Sequence, residues 1–228
     1  MGRPRACRRL TGSRAGVAHS GRGLVPDIEG SSAPPPLLTV ISGPSGVGKD
    51  ALMARLLEGG DFRRPVTMTA RPPRPGEVDG VHYHFATGEE FEATIAAGEL
   101  LEHALVHGTY YGTPRASLRD ALASGLDVIL QIDVQGAWTL REVLGDAFFV
   151  FIAPESVDQL ERRLRERPGT DAEEIVRRLA SARAELERQH AFDAVVVNIE
   201  GDLDGTVERV RELIARERER PGRRAVEV

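Results

Sequence analysis

Residues 37–57 restrict the possible folds of this chain more than any other stretch. Leu37-Leu38-Thr39-Val40-Ile41 is a short apolar run with β-branched members, and it leads straight into Gly43-Pro44-Ser45-Gly46-Val47-Gly48-Lys49. Residues 51–57 continue as a helix. Glycines in the loop let the backbone curl until its N–H groups converge on an anion. The helix that follows adds the positive end of its dipole. The lysine then reaches the outer phosphates of a nucleoside triphosphate. A Gly/Pro/Ser turn that merely precedes a helix is the plainer reading, and composition argues against it. Of 30 basic residues, 29 are arginine and Lys49 is the lone lysine. An ammonium is a compact point charge that fits inside a ring of backbone donors, whereas a guanidinium is a broad planar fork.

The position after the lysine departs from the usual loop. Ser or Thr normally stands there and offers a hydroxyl to magnesium; this chain has Asp50. A carboxylate is a hard oxygen ligand suited to Mg²⁺. Asp50 is therefore the candidate metal ligand, and Mg²⁺ arriving with ATP is the expected cofactor. The same carboxylate brings negative charge close to the triphosphate.

A length of 228 residues suits one α/β domain with a smaller insertion. Buried strands are expected at 127–133, 148–152 and 194–197, with helices near 115–124, 135–143, 156–166, 172–190 and 203–219. Apolar runs alternating with helices predict an α/β fold with a largely parallel sheet covered on both faces. Residues 67–113 break the rhythm with a proline-rich turn, strand-like pieces around Tyr83, Leu100 and Tyr110, and one helix near 89–97. They read as a small mixed lobe inserted into the core. The expected organisation is a disordered Arg/Gly/Pro-rich extension over 1–36, a domain over 37–220 and a frayed end over 221–228. Within the domain, 37–66 and 114–220 form the core, 67–113 the lobe and about 163–176 a short helical lid.

Charge excludes some functions. The net charge is −5, of which the extension holds +4, so the remainder carries −9 and is no general nucleic-acid binder. The extension is Arg-rich like a transit peptide but lacks an apolar face, which favours a solvated extension or an over-long start. No apolar run is long enough to span a bilayer. The single cysteine, Cys7, excludes an internal disulfide framework and a Cys-based zinc cluster. A cytoplasmic location is expected, with neither nucleic acid nor membrane as partner.

Four further motifs occur in order. They are Thr69-Ala70-Arg71-Pro72-Pro73-Arg74-Pro75-Gly76-Glu77 with Gly80, Tyr83 and Phe85 behind it, then Glu99-Leu100-Leu101-Glu102, Gly108-Thr109-Tyr110-Tyr111-Gly112-Thr113 and Ile132-Asp133-Val134-Gln135-Gly136. Taken singly they are bland: arginines in a turn, aromatics on a strand, a solvated glutamate. As an ordered set behind a phosphate loop they resemble the guanylate kinases, over about residues 37–217.

The resemblance implies a P-loop kinase core, a GMP-binding lobe and a lid, with ATP and GMP as substrates. Arg71 and Arg74 would hold the GMP phosphate, where a forked guanidinium suits phosphate oxygens. Tyr83 and Tyr111 would donate hydroxyls to the same phosphate. Glu102 would accept from guanine N1–H and the exocyclic amine; adenine lacks that N1–H and would leave the carboxylate unpaired. Thr67 and Thr113 would lie near the base, and Asp133 would face the nucleotides and metal from the end of a core strand. Arg163, Arg167 and Arg178 match the family's lid arginines, which approach the ATP phosphates, although Pro168 disturbs the expected spelling between them. Asn198 matches a position associated with adenine. His82, His84, His103 and His107 are read as structural or solvated.

The implied reaction is ATP + GMP to ADP + GDP, with dGMP also accepted, in purine nucleotide recycling. A related kinase with another acceptor, such as a ribose bisphosphate kinase, and a noncatalytic protein-binding module of the same fold are the alternatives. One more departure stands beside Asp50. The family carries an acidic residue at the position of Gln131, two before Asp133 and on the same strand face. The expectation is a coupled exchange, in which the carboxylate has moved from the strand to Asp50 and Gln131 supplies its polar partner.

Overall fold

The computed structural model describes residues 34–106, 108–166 and 172–228. The expectations for residues 1–33, His107, Arg167 and Pro168 lie outside the described residues. In chain order the elements are β1 (Leu38–Ser42), α1 (Lys49–Leu57), β2 (Phe62–Arg63), β3 (Thr67–Thr69), β4 (Tyr83–Phe85), α2 (Gly88–Ala96), β5 (Leu100–Val106) and β6 (Thr109–Pro114). They continue with α3 (Arg115–Ala123), β7 (Asp127–Gln131), α4 (Val134–Val143), β8 (Phe148–Pro154), α5 (Val157–Arg165), α6 (Ala172–Glu187), β9 (Ala194–Asn198) and α7 (Leu203–Arg218).

The apolar runs form one parallel sheet in the order β2-β7-β1-β8-β9. Their continuous hydrophobicity resolves into two interleaved sets, as the period of two requires. Ile41, Ile129, Val150 and Ile152 face one core, where Leu52 and Leu56 of α1, Leu160 of α5, Ile175 of α6 and Val210 of α7 cover them. Val40, Val128, Leu130, Phe149 and Phe151 face the other, under Leu118 of α3 and Ala137 and Leu140 of α4. The edge strand β9 is covered on one face only, so Val196 is buried while Val195 and Val197 are exposed.

The lobe is a separate mixed sheet of order β4-β3-β6-β5. Strands β3 and β4 run parallel, and β6 runs antiparallel to both β3 and β5. Helix α2 starts at a reciprocal cap: Thr87 accepts from the Glu90 N–H, and the Glu90 carboxylate accepts from the Thr87 N–H. That cap fixes the helix so that Phe91, fully buried, stacks on Tyr110 with ring centroids 5.1 Å apart.

Two elements escape a reading by periodicity. β2 and β3 hold two and three residues, too few to show alternation. The end of the chain differs from the frayed segment expected beyond Pro221. Arg223 donates to the carbonyls of Pro35 and Pro36, Val226 and Val228 pack against the α3/α4 core, and Arg119 donates to the Val228 carbonyl at 3.0 Å. Apolar side chains and a cation facing free carbonyls give this segment partners that its charged composition conceals. Among the described residues, no helix is long and apolar enough to cross a membrane.

Candidate active site

A cavity of about 380 Å³ opens between the C-terminal ends of β1 and β7 and the face of the lobe, where open parallel sheets place their ligands. Gly43, Ser45, Lys49, Asp50, Asp133 and Arg178 line it from the core. Thr67, Arg71, Arg74, Tyr83, Glu102 and Tyr111 line it from the lobe. The structure thus gathers most of the candidate residues around one space.

The loop between β1 and α1 is shaped by its glycines and by what stands behind it. A Cβ on Gly43, whose φ is +144°, would lie 2.3 Å from the Ile152 carbonyl oxygen of the neighbouring strand. Gly48 has φ +99°, and a Cβ there would meet the Asn198 amide at 2.7 Å. The side chain of Val47 is buried in the core, and its carbonyl accepts from Asn198 Nδ2 at 2.6 Å and from Arg163 Nη1 at 3.1 Å. Asn198 in turn accepts from the Thr206 hydroxyl at 3.1 Å. Neither Asn198 nor Arg163 lines the cavity: both hold the back of the loop, where the amide of Asn198, expected beside adenine, donates to Val47. Pro44, Gly46, Val47 and Gly48 shape the loop without lining the cavity. Arg178, by contrast, does face the site and donates to the Ser45 hydroxyl at 3.4 Å while pairing with Glu174.

Lys49 Nζ folds back onto the loop, donating to the carbonyls of Gly43 at 2.5 Å and Pro44 at 3.0 Å. Desolvation lowers the ammonium below its ordinary value, and Glu185, Asp50 and Asp133 pull in the opposite direction. Glu185, on α6, was not among the sequence candidates. It lines the same cavity, and burial pushes its carboxyl up to about 7, opposed by Lys49 and reinforced by Asp133. A signal for it existed: Arg178 and Glu185 lie two helical turns apart and so share a helix face.

Asp50 and Gln131 meet across the cavity floor. Gln131 Nε2 donates to Asp50 Oδ1 at 2.7 Å, the contact that the coupled exchange expected. Beside them Asp133 caps α4, its Oδ1 accepting from the N–H groups of Gln135 at 2.8 Å and Gly136 at 3.0 Å. Its carboxylate is thereby fixed at the mouth of β7.

The lobe side is built from paired side chains. Arg71 forms a two-pronged ion pair with Glu77, both contacts 2.6 Å, while Glu77 also accepts from the Arg74 N–H at 2.7 Å. The pair draws the Glu77 carboxyl down to about 2 and raises the Arg71 guanidinium above its ordinary value, with Tyr111 adding to the latter. The guanidinium also lies 5.1 Å from the Tyr83 ring centroid, and Tyr83 meets Tyr111 edge-on at 6.2 Å. Burial raises the Tyr83 hydroxyl. Glu102 and Thr113 are cross-strand partners on β5 and β6, just beyond a register shift, and Thr113 Oγ1 donates to Glu102 Oε1 at 2.6 Å. Glu102 is only 3% exposed. Burial pushes its carboxyl up to about 7; the Thr113 hydroxyl opposes this and the Asp133 charge adds to it. Such a carboxylate can read hydrogen-bond donors on a planar base.

Known proteins resemble the chain over most of its length. The guanylate kinase family model matches residues 36–217. Guanylate kinase 2, chloroplastic/mitochondrial, of Oryza sativa subsp. japonica is 47% identical over 197 residues, spanning 86% of this chain and 69% of the relative. The guanylate kinase of Frankia casuarinae is 49% identical over 166 residues, spanning 71% and 88% respectively. The crystal structure of guanylate kinase from Anaplasma phagocytophilum superposes with a TM-score of 0.68 at 32% identity, covering 84% of this chain and 90% of that one.

Proposed function

The chain belongs to the guanylate kinase family, and from that premise we propose which of its residues carry the reaction ATP + GMP to ADP + GDP. It is a phosphotransferase of that family, dependent on ATP. One observation supports the assignment of roles: a phosphate loop with its lysine and the buried Glu102 carboxylate line the same cavity.

In this reading the loop cradles the ATP phosphates and Lys49 leaves the Gly43 and Pro44 carbonyls to bridge the outer ones. Arg178 approaches from α6. GMP lies on the lobe, its guanine against Glu102 and its phosphate against Arg71, Arg74, Tyr83 and Tyr111, with Thr67 near the base. Thr113 holds Glu102 in place. The γ-phosphoryl group then passes to a GMP phosphate oxygen as its bond to the β,γ-bridging oxygen breaks. Such a transfer needs alignment and neutralised charge rather than a general base. Acceptance of dGMP, a part in purine nucleotide recycling and a cytoplasmic location belong to the same reading.

Magnesium would enter with ATP. Among the described residues, no group of three or more His, Cys, Asp and Glu side chains forms a cage for a metal by itself. One or two carboxylates completed by phosphate oxygens and water is the usual arrangement for Mg²⁺. The fixed carboxylates of Asp50 and Asp133 on one cavity wall fit that donor set. The ion would supply charge neutralisation between the outer phosphates, and Gln131 would hold Asp50 toward it.

The direct test is ADP release by the full chain with ATP, Mg²⁺ and a panel of acceptors. Release that requires GMP, with AMP and ribose phosphates inactive, is the expected result. Preference for a ribose phosphate, or no acceptor-dependent release at all, would overturn it.

A further inference from the structure

Gly136 occupies the first turn of α4 with helical backbone rather than a positive φ. Nothing in its dihedral angles therefore calls for glycine, and glycine is a poorer helix former than alanine. Space explains the choice. A Cβ built on Gly136 would lie 2.4 Å from Glu102 Oε2 and 3.1 Å from Glu102 Cδ, with Asp133 Oδ2 at 3.3 Å. No real Cβ tolerates the first of these distances.

The carboxylate has little freedom to retreat. Thr113 holds its other oxygen at 2.6 Å, the strand pairing of β5 and β6 fixes its backbone, and the side chain is 3% exposed. The Gly136 N–H is engaged by Asp133 Oδ1 at 3.0 Å, which pins α4 from the other side. The glycine thus leaves a notch in the core helix into which a lobe side chain fits. We infer that Gly136 is a specificity-positioning residue, whose missing side chain lets the Glu102 carboxylate stand where a guanine can be read. It touches no substrate; it acts through Glu102. This rests on the guanine-reading role of Glu102.

The test is a steady-state comparison of the parent chain with Gly136→Ala, Glu102→Asp, the double variant and Glu102→Gln. Alanine is the better helix former, so Gly136→Ala removes no helix propensity. It is expected to raise KM for GMP by about tenfold or more and to erode the preference for GMP over AMP, as misplacing a positioned polar group does. KM for ATP should stay within about twofold, since the loop lies elsewhere. Glu102→Asp withdraws the carboxylate by about one carbon–carbon bond, ~1.5 Å. The double variant should therefore bind GMP about tenfold better than the product of the two single losses predicts, a coupling typical of residues in contact. A merely structural glycine gives no such rescue. Additive losses in the double variant, or a Gly136→Ala chain with unchanged KM for GMP, would overturn the inference. If Glu102→Gln leaves GMP kinetics unchanged, it is the guanine reading of Glu102 that fails. Circular dichroism and melting curves of each variant separate misfolding from misplacement.

Discussion

The two walls of the cavity hold their functional groups by different means. The loop wall is made of main chain. Its curvature depends on Gly43 and Gly48, and its position on Asn198 and Arg163, which grip the Val47 carbonyl from behind. The lobe wall is made of side chains that hold other side chains: Glu77 forks Arg71, and Thr113 holds Glu102. A backbone cradle presents fixed N–H dipoles to any triphosphate, and those dipoles do not titrate. A wall of paired side chains can read a particular base, but it depends on protonation states and on small clearances such as that at Gly136. One side should thus be robust in binding and concentrated in its catalytic group. The other should be selective and easily disturbed.

The largest effect is expected at Lys49, the side chain that the loop itself brings to the outer phosphates in the proposed reaction. Lys49→Met should lower kcat on the order of 10³-fold, the scale of losing one electrostatic contact to developing charge. ATP affinity should fall much less, because the backbone donors remain. Pre-steady-state transfer and equilibrium binding of a nucleotide analogue would separate the two. A variant that keeps kcat within about tenfold of the parent would break the contrast, since the loop would then work without its lysine.

The same contrast decides what a sequence reveals. The loop is legible because its chemistry sits in consecutive residues: glycines, a lysine, a strand before and a helix after. The five-stranded core is legible because strands buried on both faces must be apolar throughout, as at residues 148–152. Fold class, loop and lobe therefore follow from the chain alone. The lobe residues gain meaning only as an ordered set, because an arginine in a proline-rich turn has no function written into its neighbours. What escaped depends on distance in space. Glu77 looks like a turn residue until Arg71 folds onto it, Gly136 looks like a poor helix residue until Glu102 arrives, and Glu185 looks solvated until α6 lies along the loop. Asn198, which the family resemblance sets beside adenine, has a partner that its sequence neighbours do not reveal: its amide donates to the Val47 carbonyl.

A second way to sharpen the comparison is pH. If Glu102 reads guanine as proposed, recognition needs its carboxylate in the charged form, and burial has pushed that group up to about 7. Ligand binds the deprotonated form, so affinity for GMP should be full above that value and fall as pH drops through it. At saturating ATP, KM for GMP should rise toward about tenfold per unit below pH 7, the slope of one titrating group. Titration of the GMP phosphate is common to all variants, so the comparison that matters is with Glu102→Gln. That variant binds GMP weakly and should lack the extra slope, while its ATP profile, including any contribution from Glu185, should match the parent's. Equal slopes for parent and variant would assign the pH dependence to another group.

The smallest effect is expected where the loop wall borrows a side-chain pair. Gln131 donates to Asp50 at 2.7 Å, so the two positions should behave as one unit. Asp50→Ser removes a negative charge and leaves the Gln131 amide without its acceptor. Gln131→Asp sets two carboxylates against each other, which raises the pKa of one of them. Each single change should cost about tenfold in kcat/KM for ATP at limiting Mg²⁺. The double variant restores one carboxylate beside one hydroxyl and should return to within about threefold of the parent. A readout apart from turnover is the ratio of ATP affinities with and without Mg²⁺, measured by calorimetry. The ratio should fall in Asp50→Ser and recover in the double variant if Asp50 contributes to the metal site. Losses that simply multiply would mean that Asp50 and Gln131 act independently, and that the loop wall carries no side-chain pairing of the kind that builds the lobe.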